Sequence, residues 1–473
     1  MIANRLERLF DRQHFPVTLL VVAIVFSACL MPAQSDTWWQ LRTGEEIWRS
    51  GRIVLQDNFT HTVSGRPWPN HEWLTQVLFY AVYAAGGLPL LTLLCAAAIT
   101  VAWLIVLSLT PGPVLFRVAL VGGGAAWSSV AWTLRPQMLT MALFASTLWV
   151  LVRRRYLWSL PPLFLLWANL HGAVALGGVL IVAAALASLR AGDGRFKLLL
   201  GIGSLCFVAT TLTPLGLSLW LELPQMMQRS EAYGIQEWRA PDLSTWAEAA
   251  FWATGGTVIA LAVVKRRALQ SVQTLTLVIA AVFLFLMAAG SARQIPPFFV
   301  CAVPTIAVLL NVVVPHEERV TRRASVLVNA VSGAACAIAA AFFVAYAWST
   351  HLPRLRWDPV PSSVLSAIEE CRGPLYNRYN DGGALLWFAK HRKIFIDSRQ
   401  DPFPAELVLE HIQVEKSGNY RQLFERYHIE CALTNQGRPL AARLRRDGWL
   451  ERRAAGTWTV YRRPSKQVAM SPL

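Results

Sequence analysis

Apolar runs alternate with short polar loops from residue 16 to residue 348, and most are close to the roughly 20 residues that cross a hydrocarbon core. The pattern predicts eleven membrane-crossing helices, the first over 16–32, the second over 88–109 and the last over 325–348. The apolar stretch 73–86 is short for a crossing before Gly86, Gly87 and Pro89, and is expected to lie along the membrane surface or re-enter it. After residue 349 the chain turns polar. Two domains are therefore expected: 1–349, an all-α polytopic membrane domain with an outer loop over 33–87, and 350–473, a small soluble α/β domain.

Within the tail, GPLYNRY and RKIFID have the apolar, β-prone character of strands, with a helix over ALLWFAK between them. YHIECALTN and the pair WLERRAAGTWTVYRR add further strands, the last two joined by a turn at Ala454, Ala455 and Gly456. Asn380 to Gly383 and Asp397 to Asp401 are expected as polar loops at strand ends, which serve either as turns or as functional segments. Cys371 and Cys431 are the two cysteines outside apolar runs, and an oxidising compartment would permit them to pair.

Composition agrees with a membrane protein: 55% hydrophobic residues, 15% charged residues and a mean hydropathy of +0.40 exclude a soluble globular chain. The net charge of +16 would suit a nucleic-acid partner, but its placement argues against one. Basic groups at Arg5/Arg8/Arg12, Arg117, Arg153–Arg155, Arg190/Arg195/Lys197, Lys265–Arg267 and Arg319/Arg322/Arg323 all fall in short loops, as anchors on the cytoplasmic side do. The tail holds 20 Lys and Arg against 13 Asp and Glu, which suits a position over anionic lipid. With this sidedness the N-terminus is cytoplasmic in a bacterial inner membrane, and residues 33–72 and the tail are extracytoplasmic.

The same alternation gathers candidate chemistry on the outer side. Asp36, placed near the end of the first span, Asp57, His61, His71, Glu72, Arg135, Asn169, His171, Glu237, Arg239, Asp242 and Arg293 all fall at outer helix ends or in outer loops. Ionisable groups at a bilayer are costly unless they line a cavity or pair, so an outward-facing cavity is expected. The loop from Asp36 to Trp73 adds five tryptophans, which serve as interface anchors or as platforms for sugar rings.

A first span ending in an acid, a long outer loop with a second acid, the His71-Glu72-Trp73-Leu74 start of an amphipathic helix, many spans and an outer C-terminal domain resemble the GT-C superfamily. RPQMLTMALF, LWANLHG, QEWRAPD and SARQIPPFF are weaker echoes. Its members are integral-membrane glycosyltransferases that use polyprenyl-phosphate-linked sugars, and the likeness is to bacterial mannosyltransferase-like members without an assigned substrate. The resemblance implies a lipid-linked sugar donor, an acceptor that is a glycan, lipid or protein, contact with membrane lipid and no nucleic acid. Better-studied members often carry a second acid where this chain has Thr37, and His-Pro-Pro where it has His-Glu-Trp.

The chemistry is consistent with that resemblance. Phosphate leaves as a stabilised anion, so transfer needs one base and no strong acid. Asp36 is expected to be the base, Asp57 a supporting acid, and His71, Glu72, Arg135, Arg239 and Arg293 substrate-binding residues. Each has a plainer alternative: Asp36 as a helix cap, Asp57 in a turn, His171 as an interhelical packing histidine, the arginines as interface markers. No cofactor is required, although His71-Glu72 leaves a divalent cation open. A transporter or flippase, and a non-catalytic scaffold for envelope assembly, are the other classes compatible with the pattern.

Overall fold

The structure, a computed structural model, describes residues 14–312 and 323–464. Arg5, Arg8, Arg12, Arg319 and Arg322 lie outside the described residues. The chain forms two compact units.

The first unit comprises the chain through Pro32, Val82–Leu221 and Gly234–Leu355, and is built from apolar helices. Seven helices of the described chain are long and apolar enough to cross a membrane, and four shorter apolar ones, Phe15–Cys29, Gln137–Arg153, Leu157–Leu170 and Phe196–Thr210, complete the expected eleven. The helix Ile295–Leu310 is buried over nearly its whole surface, packed against Val272–Gly290. Val326–Ser349 is the opposite case, with Leu327, Val331, Ile338 and Phe342 all exposed. Apolar side chains so uncovered along a whole helix need lipid as their solvent.

Three of the basic loops meet at one end of this unit. Arg153 Nη2 donates to Ser108 O at 2.6 Å, Arg195 Nη1 donates to Arg154 O at 3.2 Å, and Arg154 pairs with Asp193. Arg135 stands ahead of Gln137–Arg153, so that helix carries Arg135 and Arg153 at opposite ends. The stretch 73–86 is helical, and Gly86 (φ −158°) and Gly87 (φ +66°) break the helix Trp73–Leu109 where the sequence reading separates it from the next apolar run.

The second unit comprises Ala33–Ala81, Glu222–Tyr233 and the chain from Arg356. This differs from the boundary expected at 349/350: the outer loop joins the tail, because its backbone is satisfied there. Ile394 N donates to Phe59 O at 3.2 Å, His61 N to Ile394 O at 3.0 Å, and Thr62 Oγ1 to Phe395 O at 2.6 Å. These bonds also explain why RKIFID is not a sheet strand. Its single ladder contact is a parallel bridge between Ile394 and Thr60, and Phe395 N donates to the Asn377 side chain at 2.8 Å.

The sheet has four strands, β1 (Leu375–Tyr376), β2 (Cys431–Asn435), β3 (Leu450–Ala455) and β4 (Trp458–Arg462), in the order β1-β2-β4-β3. β1 runs parallel to β2, and the other pairings are antiparallel. Ala454 and Ala455 belong to β3, so the hairpin turn is Gly456-Thr457 rather than Ala454 to Gly456. Asn380 to Gly383 form no strand-end turn either, since the helix Tyr379–Phe388 already includes them. The two glycines allow close approach: a Cβ on Gly382 would meet Ile396 O at 2.1 Å, and one on Gly383 would meet Ser35 O at 2.1 Å.

Cys371 and Cys431 form a disulfide with Cα atoms 6.3 Å apart, closing a separation of 60 residues. Constraining a loop of that length stabilises by about 4 kcal/mol in the chain-entropy account. Cys371→Ser is therefore expected to lower the unfolding temperature of the purified protein, and reductant to do the same to the parent but not to the variant. Equal unfolding temperatures with and without reductant would remove the bond from the stability of this unit.

Candidate active site

The helix Ser35–Ser50 positions Asp36. Gln34 is its N-cap, in a reciprocal pair with Thr37: the Gln34 side chain meets the Thr37 backbone, and Gln34 N donates to Thr37 Oγ1 at 3.0 Å. Asp36 is thus neither the last turn of the first apolar helix, which ends at Cys29, nor the cap of the next. It sits in the first helical turn, where the helix dipole favours an anion. Its half-buried carboxylate accepts from Ser398 Oγ at 2.6 Å and from Trp39 Nε1 at 3.1 Å. The buried Tyr379 hydroxyl has no hydrogen-bond partner among the described residues. Burial, and then the charges of Asp36, Asp397 and Asp401, push its pKa well above 10, so it remains a proton donor.

Asp57 has a different environment. Asp57, Arg399 and Asp397 have fully buried side chains, and Arg399 Nη2 lies 2.6 Å from Asp57 Oδ1 and 2.7 Å from Asp397 Oδ2. Asp57 also accepts from Thr60 Oγ1 at 2.6 Å and Thr60 N at 3.1 Å. The guanidinium lies over Trp68 (4.7 Å) and Phe59 (5.1 Å). Burial pushes the Asp397 carboxyl up, against the opposing pull of Arg399. A carboxylate closed off in this way is a strut joining the loop to Asp397-Ser398-Arg399, with no face left for a substrate.

Glu72 is buried and accepts from the Gln40 side chain, while His71 Nε2 stands 3.7 Å from Glu72 Oε1. Asn70 and Gln76 exchange side-chain hydrogen bonds of 2.7 and 2.8 Å beside them. Asp401 lies 3.6 Å from Arg229 Nη1. Burial pushes the Asp401 carboxyl up to about 6, with His71 and Arg229 pulling it down. A carboxyl raised above its unfolded value favours folding below that unfolded value, near 3.8, and loses the advantage as pH rises through about 6. Asp401→Asn is expected to flatten the stability profile between pH 4 and 6 and to raise stability at pH 7. An unchanged slope in thermal unfolding across that window would show that Asp401 titrates normally.

In the helical unit, Arg135, Glu237 and Arg293 come together. Arg135 holds Glu237 with two bonds of 2.9 and 3.2 Å, and Arg293 Nη1 donates to Glu237 Oε1 at 2.7 Å. Arg293 also lies 4.9 Å over the Trp238 ring. Burial raises the Glu237 carboxyl, but Arg293 and Arg135 together bring it down to about 2. Two arginines thus share one carboxylate in charge-assisted hydrogen bonds. Arg239 stands apart, paired with Glu248 at 2.6 Å and Asp242 at 3.1 Å. His171 Nδ1 meets Thr140 Oγ1 at 2.8 Å, and Trp167 Nε1 donates to the same hydroxyl at 2.9 Å, which is interhelical packing. Among the described residues no three His, Cys, Asp or Glu side chains converge as metal ligands.

No family model and no curated protein matches the sequence. Solved structures do. The archaeal oligosaccharyltransferase AglB from Archaeoglobus fulgidus, in complex with an inhibitory peptide and a dolichol-phosphate, aligns at 12% identity and a TM-score of 0.57 over 90% of this chain and 70% of that one. ArnT from Cupriavidus metallidurans, bound to undecaprenyl phosphate, aligns at 13% identity and a TM-score of 0.51 over 94% and 97%. The chain shares the fold of these two structures. At such identity the likeness is one of fold, and that fold here combines apolar helices with a small C-terminal sheet.

Sequence reasoning singled out Asp36, gave Ser398 and Arg399 only as members of a polar loop whose role was left open, and missed Tyr379. The signal was present in Asp397-Ser398-Arg399-Gln400-Asp401, where an arginine stands between two acids in five residues. Buried ion pairs need that composition, and so do turns.

Proposed function

We propose that this protein is a membrane glycosyltransferase that moves a sugar from a polyprenyl-phosphate-linked donor to an acceptor on the outer face of a bacterial inner membrane. The observation that carries this reading is the Asp36 carboxylate: half-buried in the first turn of its helix and oriented by Ser398 and Trp39. The GT-C fold supports it, since two proteins of that fold were solved with dolichol-phosphate and undecaprenyl phosphate. The acceptor is a hydroxyl-bearing or other nucleophilic glycan, lipid or protein.

In this mechanism Asp36 takes the acceptor's proton as the acceptor atom bonds to the sugar C1. The bond from C1 to the phosphate oxygen breaks on the opposite face, so the configuration inverts. Polyprenyl phosphate departs with the electron pair as a stabilised anion. Asp57 acts at a distance, by fixing the segment that carries Ser398.

Incubating the purified protein in lipid with labelled polyprenyl-phosphate sugars and membrane-derived acceptors tests the reading. Label leaving the donor, with polyprenyl phosphate released in equal amount, is the expected result. Donor left intact across the common sugars, by protein that remains folded, would return the chain to the scaffold class.

A further inference from the structure

A cavity of about 560 Å³ lies at the basic end of the helical unit, formed by the ends of five helices and the loop at Thr110. Arg117 and Arg153 line it together with Thr110, Gln273 and Thr274, and Leu277 belongs to its apolar wall. No acid lines it. Arg117 Nη2 is anchored on Leu107 O at 2.9 Å, while its Nε is buried with no hydrogen-bond partner among the described residues. Gln273 and Thr274 are in the first turn of Val272–Gly290, whose N-cap Ser271 accepts from Thr274 N. That helix start adds its partial positive charge to the two guanidinium groups. A pair of arginines, an orphaned buried donor and a helix start make an oxyanion site, and the apolar wall beside it suits chains that carry the anion into the membrane.

We infer that this cavity binds the phosphodiester headgroup of an anionic membrane phospholipid, at the end of the helical unit opposite Arg135 and Arg293. The arginines hold the phosphate and the apolar wall takes the first methylenes of the acyl chains. Neither group belongs to the proposed transfer chemistry, so the site stands whether or not that chemistry does.

The test uses the full chain, purified and delipidated in detergent, with thermal unfolding followed as phosphatidylglycerol, phosphatidylcholine or inorganic phosphate is titrated in. Phosphatidylglycerol is expected to raise the unfolding temperature saturably, phosphatidylcholine to do so weakly, and phosphate alone to have no effect at the same concentration. Arg117→Gln with Arg153→Gln should weaken the phosphatidylglycerol effect at least tenfold, about 1.4 kcal/mol. Val308→Trp, which fills the cavity and leaves the charges in place, should weaken it as well and guards against misfolding of the double variant. Equal protection by the two lipids, or full protection of both variants, overturns the inference. Saturation by inorganic phosphate alone overturns the lipid and reassigns the arginines to a soluble phosphate.

Discussion

Asp36→Asn abolishes sugar transfer, by roughly 10²- to 10⁴-fold, while unfolding temperature and donor binding stay near those of the parent. Asparagine keeps the size of the side chain and can still accept from Ser398 Oγ and Trp39 Nε1, the two contacts that orient the carboxylate. It cannot take a proton. The structural cost is small because Gln34, not Asp36, caps the helix, and because asparagine keeps both contacts. Ser398→Ala is expected to fall between the two, since it removes the orienting bond but keeps the base. Measured turnover of folded Asp36→Asn within a few-fold of the parent would eliminate Asp36 as the base.

Arg399→Ala is expected to have the largest effect on stability, about 3–5 kcal/mol, because it leaves two fully buried carboxylates facing each other without a cation. Lysine rescues poorly. The planar fork of Arg399 reaches Asp57 and Asp397 at once and lies flat over Trp68, which a point charge on a flexible stem cannot do. Adding Asp57→Asn and Asp397→Asn to Arg399→Ala should recover part of the loss by removing the charges that the alanine exposes to one another. Protease sensitivity within 33–81 and thermal unfolding in detergent read the effect. A single Arg399→Ala variant as resistant as the parent would mean that the buried triad contributes nothing to holding the loop.

The contrast between these two substitutions shows what the linear sequence carries. Period and length of the apolar runs determine the helices, so the eleven stretches were legible one by one. Asp36 was legible because an acid just beyond the first apolar run is costly without a purpose. Asp57 was read as a supporting acid, and nothing local shows that it is closed off: what closes it is Arg399, 342 residues further on. RKIFID had the composition of a strand, but strand formation depends on a neighbour with free backbone groups, and the neighbour here is a loop that offers a single bridge. The Cys371–Cys431 pairing was accessible because apolar surroundings account for the other cysteines.

The bonds between the loop at Phe59 to Thr62 and the segment Ile394 to Arg399 bear on how such a chain could be recombined. The C-terminal sheet is not a portable module. A chimera that exchanged only the chain after residue 356 would strand Asp57 without its guanidinium and Asp36 without its serine. Exchange between proteins of this fold has to carry residues 33–81 along with the tail, so these two distant stretches of sequence are expected to be inherited as one piece.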